Sequence, residues 1–147
     1  MRKLYVDANI LIYIVEGNSA YREQLELLIQ ALEQGQVLGV TSELTIAEVM
    51  VKPLSSPRES YRSEYQALFA KSRSLQLIPI SRQILFASAE IRAKHSGKLA
   101  DAIHVATASQ SNCGHFLTED KRIRLPPNLQ PYRLANVATL ISEMLAK

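Results

Sequence analysis

Four acidic residues occupy positions where a charge is costly and useful. Asp7 directly follows the apolar run Leu4-Tyr5-Val6, and Glu48 lies inside the apolar stretch Leu44–Val51. Asp101 opens the alanine-rich segment LADAIHVATA, and Asp120 stands just past His115–Thr118. A carboxylate beside buried neighbours requires a counter-ion or a full set of donors. Four of them in one cleft of low dielectric repel strongly. A hard divalent cation relieves that repulsion, because Mg²⁺ or Mn²⁺ takes oxygen ligands, keeps several waters and leans on one or two carboxylates plus a substrate phosphate. The chemistry such a set can support is hydrolysis of a phosphodiester by an activated water. Asp7 and Asp101 read as ligands, and Glu48 as a further ligand or the group that orients and deprotonates the water. Each residue also has a plainer reading: Asp7 as a helix N-cap, Asp101 as a partner of the helix dipole, Asp120 as a turn charge, Glu48 as half of a buried ion pair with Arg or Lys. The conjunction of the four is the signal.

That conjunction depends on the elements that carry them. Leu4–Val6 has the length and β propensity of a buried strand, and the apolar residues Ile10–Val15 after Asp7 predict a buried helix. A second helix is predicted from Tyr21, Leu25, Leu28, Ile29 and Leu32, closed by Gly35. Val37–Thr41 follows as a strand. Ser42 then caps a helix over Glu43–Val51 that is apolar nearly all round, which predicts burial. Lys52-Pro53 is expected to end it, and Ser56-Pro57-Arg58-Glu59 reads as a capping box for a helix carrying Tyr61, Tyr65, Leu68 and Phe69. Gln76–Ile80 is a third strand, and Ser81 caps a helix reaching Lys94, where Ser96-Gly97 breaks it. Lys98–Ser111 forms the alanine-rich helix, His115–Thr118 a fourth strand and Tyr132–Leu134 an edge strand. A closing helix from Asn136 contains Val137, Leu140, Ile141, Met144 and Leu145. Strands alternating with helices predict a parallel sheet covered on both faces, with the strand ends on one rim.

Composition narrows the function classes. A chain of 147 residues with 47% hydrophobic and 21% charged residues reads as one globular domain over 1–147. Its longest apolar run, Ile10–Val15, is too short to cross a bilayer, and the absence of a leader pattern predicts a cytoplasmic location. A single cysteine, Cys113, excludes a disulfide framework or a thiolate metal site and reads as a small core or turn residue. His95, His104 and His115 lie at no metal-ligand spacing, and His104, one turn after Asp101, reads as a packing or hydrogen-bonding residue. The net charge of +3 leans towards a polyanionic partner.

The segments YVDANILIYIV, TSELTIAEVMVKPL, LADAIHVATA and FLTEDKRI resemble, in order and spacing, the successive acidic motifs of PIN-domain ribonucleases, from Leu4 to about Ile123. That resemblance implies a PIN-like three-layer α/β/α sandwich with a central parallel sheet of four to five strands. It implies one or two Mg²⁺ or Mn²⁺ ions held by Asp7, Glu48 and Asp101 with Asp120 as the fourth acidic residue, Asn9 and Thr118 assisting, and 5′-phosphate and 3′-hydroxyl products. Glu119 adjoins Asp120, and position in the motif favours Asp120. Chains of this size resemble the VapC-type toxins of bacterial toxin–antitoxin pairs, which implies an RNA substrate, a small antitoxin partner and a homodimer without membrane attachment.

Phosphate contacts require basic side chains around the rim. Lys52, Arg58, Arg62, Lys71 and Arg73 outnumber Glu59 and Glu64 over residues 52–73, and Lys121, Arg122 and Arg124 follow the fourth acidic motif. An aspartyl-phosphate phosphohydrolase is disfavoured because Asn9 stands where its second Asp belongs, and a receiver domain because Ile78-Pro79-Ile80 lacks an acceptor Asp. A stand-alone RNA-processing PIN nuclease and a non-catalytic interaction module with a vestigial acidic site remain the alternatives to the toxin.

Overall fold

The structure, a computed structural model, describes residues 2–56, 59–70 and 74–146. Five strands, β1 (Lys3–Val6), β2 (Leu38–Ser42), β3 (Leu75–Ile78), β4 (His115–Leu117) and β5 (Gln130–Tyr132), form one sheet in the order β3-β2-β1-β4-β5. Every pairing is parallel. Among the described residues eight α-helices connect and flank the strands: α1 (Ala8–Glu16), α2 (Arg22–Glu33), α3 (Leu44–Val49), α4 (Val51–Ser55), α5 (Glu59–Phe69), α6 (Arg82–His95), α7 (Leu99–Gln110) and α8 (Val137–Leu145). This is the parallel α/β fold expected from the alternation of elements. Among the described residues no helix is long and apolar enough to cross a membrane.

The alternation of side chains along β1 sets the layers. Leu4 and Val6 join a core with Ile10, Leu28 and Leu140, beneath α1, α2 and α8. Tyr5 points to the other face and joins Val40, Val105 and Phe116 beneath α7. Leu4, Tyr5 and Val6 of β1 are fully buried in the middle of the sheet, and the strand order reverses beside them: β2 and β3 run off one edge, β4 and β5 off the other. In open α/β sheets the crevice beyond the carboxyl ends at such a reversal is where ligands bind. Val6 pairs with Leu117 at the end of the β1–β4 ladder, so Asp7 and Thr118 emerge into it side by side.

Some local expectations are corrected. The stretch after β2 is two short helices meeting at Met50, and Pro53 lies inside α4 as a buried residue. It is not buried all round, because Ile46, Val51 and Leu54 are exposed on its outer side. Proline is tolerated there because a first-turn N–H lacks an intrahelical acceptor anyway. The last strand lies two residues earlier than its apolar pattern suggested, since Leu134 is buried in a 3₁₀ turn that leads into α8. Ser81 does cap α6, accepting from Ile84 N at 3.1 Å. The capping box includes Pro57 and Arg58, which lie outside the described residues, as do Lys71 and Arg73.

Gly39 shows how closely β2 is packed. A Cβ there would stand 3.0 Å from the Ser74 carbonyl oxygen and 3.2 Å from methyl carbons of Leu32 and Leu75, and its N–H donates to that same carbonyl at 2.9 Å. Gly39→Ala is therefore expected to lower stability by about 1–3 kcal/mol through overpacking, read as a lower midpoint of urea unfolding. An unchanged midpoint would contradict the packing described here.

Candidate active site

Asp7 is held on both oxygens. Oδ1 accepts from Ala8 N at 2.9 Å, which makes the residue the N-cap of α1, and Oδ2 accepts from Thr118 Oγ1 at 2.7 Å. Asn9 adds a weaker bond, Nδ2 to Asp7 Oδ2 at 3.4 Å, and reaches Thr118 Oγ1 at 3.3 Å. The Asn9 side-chain Oδ1 accepts from Glu119 N at 3.2 Å, and Thr118 Oγ1 accepts from Asp120 N at 3.0 Å. Through these bonds the end of β1 and the chain after β4 become one rigid rim. The plain N-cap reading of Asp7 and its place in a cleft are thus both satisfied by the same carboxylate.

Glu119 and Asp120 diverge. Glu119 Oε2 accepts from Leu134 N at 3.0 Å and lies 3.7 Å from Arg133 Nε, which ties it to the edge of the sheet. Asp120 Oδ1 accepts from Arg122 N at 2.9 Å and Arg122 Nε at 3.3 Å. The backbone bond from Arg122, outweighing partial burial and helped by its guanidinium, holds the Asp120 carboxyl below the usual range. Asp101, in the first turn of α7, is pushed the other way by burial and then by the charges of Asp120 and Asp7. Asp101 therefore feels the charges of two of the other three acidic residues, Asp120 and Asp7, across the cleft.

Glu48 projects from α3, and its side chain is one-third exposed. Its partner is neither Arg nor Lys but His104, whose Nε2 lies 2.6 Å from Glu48 Oε1 and 3.9 Å from Asp7 Oδ1. The other ring nitrogen, Nδ1, shares a 2.5 Å hydrogen bond with the Tyr5 hydroxyl, which also accepts from Ser42 N at 3.1 Å. Burial pulls the His104 pKa down, but the Glu48 hydrogen bond and the charges of Asp7, Glu48 and Asp101 together raise it above the ordinary value. Burial, then the Asp7 charge, raises the Tyr5 hydroxyl well above its own. His104 does prove to be a hydrogen-bonding residue, one that bridges the acidic cleft to the core. Tyr5 and His104 were the functional neighbours least visible in sequence. The one available signal was that His104 follows Asp101 by three residues on a helix, which places both on one face.

Among the described residues no arginine or lysine forms an ion pair with Asp7, Glu48 or Asp101, and no group of three or more His, Cys, Asp or Glu is arranged, as the side chains stand, to hold a metal ion. The basic candidates fall in different places. Lys52 is exposed on α4, whereas Arg62 is half-buried, donates from Nη2 to Pro53 O at 3.3 Å and has a buried Nε with no partner among the described residues. Arg58 lies outside the described residues. Lys121, Arg122 and Arg124 are exposed beyond β4.

Against known proteins, the PIN domain profile matches residues 4–128. The fold is similar to a toxin–antitoxin complex from Klebsiella pneumoniae, 28% identical over 86% of this chain and 94% of that one, with a TM-score of 0.61. It is also similar to VapBC2 from Rickettsia felis bound to a DNA fragment from its promoter, 22% identical over 89% of this chain and 98% of that one (TM-score 0.65). DNA-bound VapBC from Salmonella typhimurium gives 19% identity over 91% and 99%, with a TM-score of 0.66. No curated protein compared with the chain matches it.

The raised groups make stability depend on pH. A histidine held above its ordinary pKa of about 6.5 contributes stability that is fully present below that value and lost as pH rises through its folded pKa. In chelator, the melting temperature of the wild type is expected to fall between about pH 6 and pH 8, and this fall is expected to shrink in His104→Gln. A wild-type melting temperature that rose or held constant over that interval would contradict the assignment. Tyr5→Phe, which strands Ser42 N and His104 Nδ1, is expected to cost about 1–3 kcal/mol in denaturant unfolding; no loss would mean that the hydroxyl is dispensable.

Proposed function

The chain belongs to the PIN domain family, and from that premise we propose that it is a divalent-metal-dependent endoribonuclease, the toxin of a toxin–antitoxin pair, with residues 1–147 acting as one nuclease unit. PIN domains are generally nucleases that use divalent metals. The observation that carries the proposal is the crevice beside β1, where the charges of Asp120 and Asp7 both act on the partly buried Asp101 and, among the described residues, no lysine or arginine is ion-paired to Asp7 or Asp101. The donor set fits a hard divalent cation such as Mg²⁺ or Mn²⁺, because it consists of carboxylate and hydroxyl oxygens and lacks thiolate.

In this reading Asp7, Asp101 and Asp120 hold one or two such ions, and Glu48 joins them or serves the attacking water. When bound, the ion supplies positive charge against the carboxylates and the phosphodiester, and makes a neighbouring water a better nucleophile. The chain's own residues do the rest. Thr118 and Asn9 fix Asp7 so that its oxygens keep one orientation. His104 Nε2 positions Glu48 Oε1 at 2.6 Å, with the ring oriented by Tyr5 through Nδ1. That arrangement suits Glu48 for accepting the proton of the attacking water, while His104 stabilises the neighbouring negative charge. Attack by water leaves 5′-phosphate and 3′-hydroxyl ends. No serine or cysteine nucleophile is needed, and Cys113 is buried away from the cleft with its thiol pushed up to about 11 by burial.

An antitoxin partner is supported by the toxin–antitoxin complexes that share this fold, and by a groove of about 610 Å³ flanked by Ile46, Val51, Leu54 and Phe69, an apolar surface of the kind that proteins cover. A second exposed apolar patch, Leu85 and Phe86 on α6, supports a homodimer.

Purified protein is expected to cut total RNA when Mn²⁺ or Mg²⁺ is supplied and to stop when the metal is chelated. Asp7→Asn and Asp101→Asn are each expected to slow cleavage by at least about 10²-fold while keeping a cooperative unfolding transition. Undiminished cleavage in chelator, or by either variant, would refute the mechanism.

A further inference from the structure

Beyond Asp101 the crevice continues into a cleft that the acidic residues do not explain. A first cavity of about 200 Å³ lies between the α6–α7 turn and the chain after β4, with Asp101 in its wall and His95, Lys98, Arg122 and Arg124 around it. It shares Ile91, His95, Val105 and Arg124 with a second cavity of about 730 Å³, so the two adjoin across these side chains. The chemistry changes along the way. The narrow end beside Asp101 is cationic, whereas the wide end adds apolar walls at Ile91, Leu125, Pro126 and Pro127 to a polar side that holds Ser109 and Asn128 together with the charged Glu90 and Lys94.

The turn that forms one lip of the narrow end is strained. Ser96 sits at φ 57 and ψ −154, and Gly97 follows at φ 98. A non-glycine residue held there costs about 1–3 kcal/mol, a cost met most often at functional sites. The strained turn delivers Lys98 to the start of α7, close enough for its charge to act on both Asp101 and Asp120.

Resting on the ribonuclease reading above, we infer that this cleft is the track of a single RNA strand, with backbone phosphates at Lys98 and Arg124 and one unpaired base in the wide end. The pocket, rather than the acidic centre, then selects a nucleotide near the cut. Three features favour this occupant: cationic groups at the narrow end that complement phosphate, continuity with the proposed site of cleavage, and a pocket within the size range of small-molecule sites, about 300–1,000 Å³. An unpaired base offers a flat face to apolar walls and a polar edge to Ser109 or Asn128. A duplex buries those faces in its stack, which is why sequence-specific RNA recognition targets single strands.

The test separates binding from cleavage. A short fluorescent single-stranded RNA is titrated with wild-type protein, the Lys98→Glu/Arg124→Glu double variant and Arg22→Glu, all in chelator. Arg22 is exposed on α2 in the opposite helical layer. The double variant is expected to bind more than tenfold more weakly, and its slope of log affinity against log salt to fall by about 1.4 for two lost single-strand phosphate contacts. Arg22→Glu is expected to match the wild type, and duplex RNA of the same sequence to bind more weakly than the single strand. In the second arm, Ala87→Trp fills the wide end and Asn128→Ala removes a polar group, both checked by thermal unfolding. Ends mapped on a random-sequence RNA pool cut with Mn²⁺ are expected to lose the wild-type nucleotide preference in either folded variant. The cleft is ruled out as the track if the double variant binds like Arg22→Glu, if duplex binds as well as single strand, or if the preference survives both pocket changes. Wild type that binds through the cleft but cuts nothing would leave the track standing and remove the nuclease reading; cleavage insensitive to every cleft variant would do the reverse.

Discussion

Negative charge gathered at the carboxyl end of β1, with no arginine or lysine ion-paired to Asp7 or Asp101 among the described residues, is the constraint around which this fold is arranged. Asp7 must sit there because α1 begins there and needs a cap, and it lies at the reversal of strand order, where β1 and β4 part and leave a crevice. Asp101 and Asp120 arrive from α7 and from the chain beyond β4, and burial, then the charges of Asp120 and Asp7, raise the protonation tendency of Asp101. A fold that gained nothing from this arrangement would relieve it with an arginine. The nearest relief for Asp7 and Glu48 is instead a histidine, whose charge depends on the very carboxylates it faces.

His104 links this charge to the core. Tyr5 lies fully buried in the central strand and stacks on Phe116 with ring centroids 4.8 Å apart. Its hydroxyl joins the β2 terminus at Ser42 to the imidazole, and the imidazole joins α7 to Glu48 on α3. The ends of β1 and β2 and the helices α3 and α7 are thereby held in one orientation by a buried polar chain. Such chains specify structure when every member is satisfied, and here the member at the open end, Glu48, reaches the solvent-facing side of the crevice. The polar groups that shape the rim are therefore the same groups that anchor it.

Much of this was legible in the sequence. Leu4–Val6, the Ser81 cap and the alanine-rich segment were marked by periodicity, capping chemistry and small residues, and each is a local signal. The helix after β2 was misjudged for a physical reason: an apolar circumference reports that water is disfavoured, not which neighbour excludes it. Val51 and Leu54 remain exposed on the outer side of that stretch. An ion pair with Arg or Lys was the plainer reading of Glu48, and its hydrogen-bond partner is instead a histidine 56 residues away. No spacing rule reaches that far; only the packing of α7 across the sheet brings the two together. The choice between Glu119 and Asp120 likewise turned on tertiary contacts, since Glu119 is captured by the backbone at Leu134.

The central claim is that the acidic crevice is stable as a set only when a divalent ion shares it, and ion-dependent stability tests this most directly. The melting temperature is followed as Mn²⁺ is titrated into wild type and into Asp101→Asn at neutral pH. Ligand linkage predicts that wild type gains about 2.7 kcal/mol once Mn²⁺ reaches about a hundred times its dissociation constant. The variant is predicted to start more stable than wild type and to gain far less. A wild-type melting temperature indifferent to Mn²⁺, or an identical response in the variant, would contradict the account.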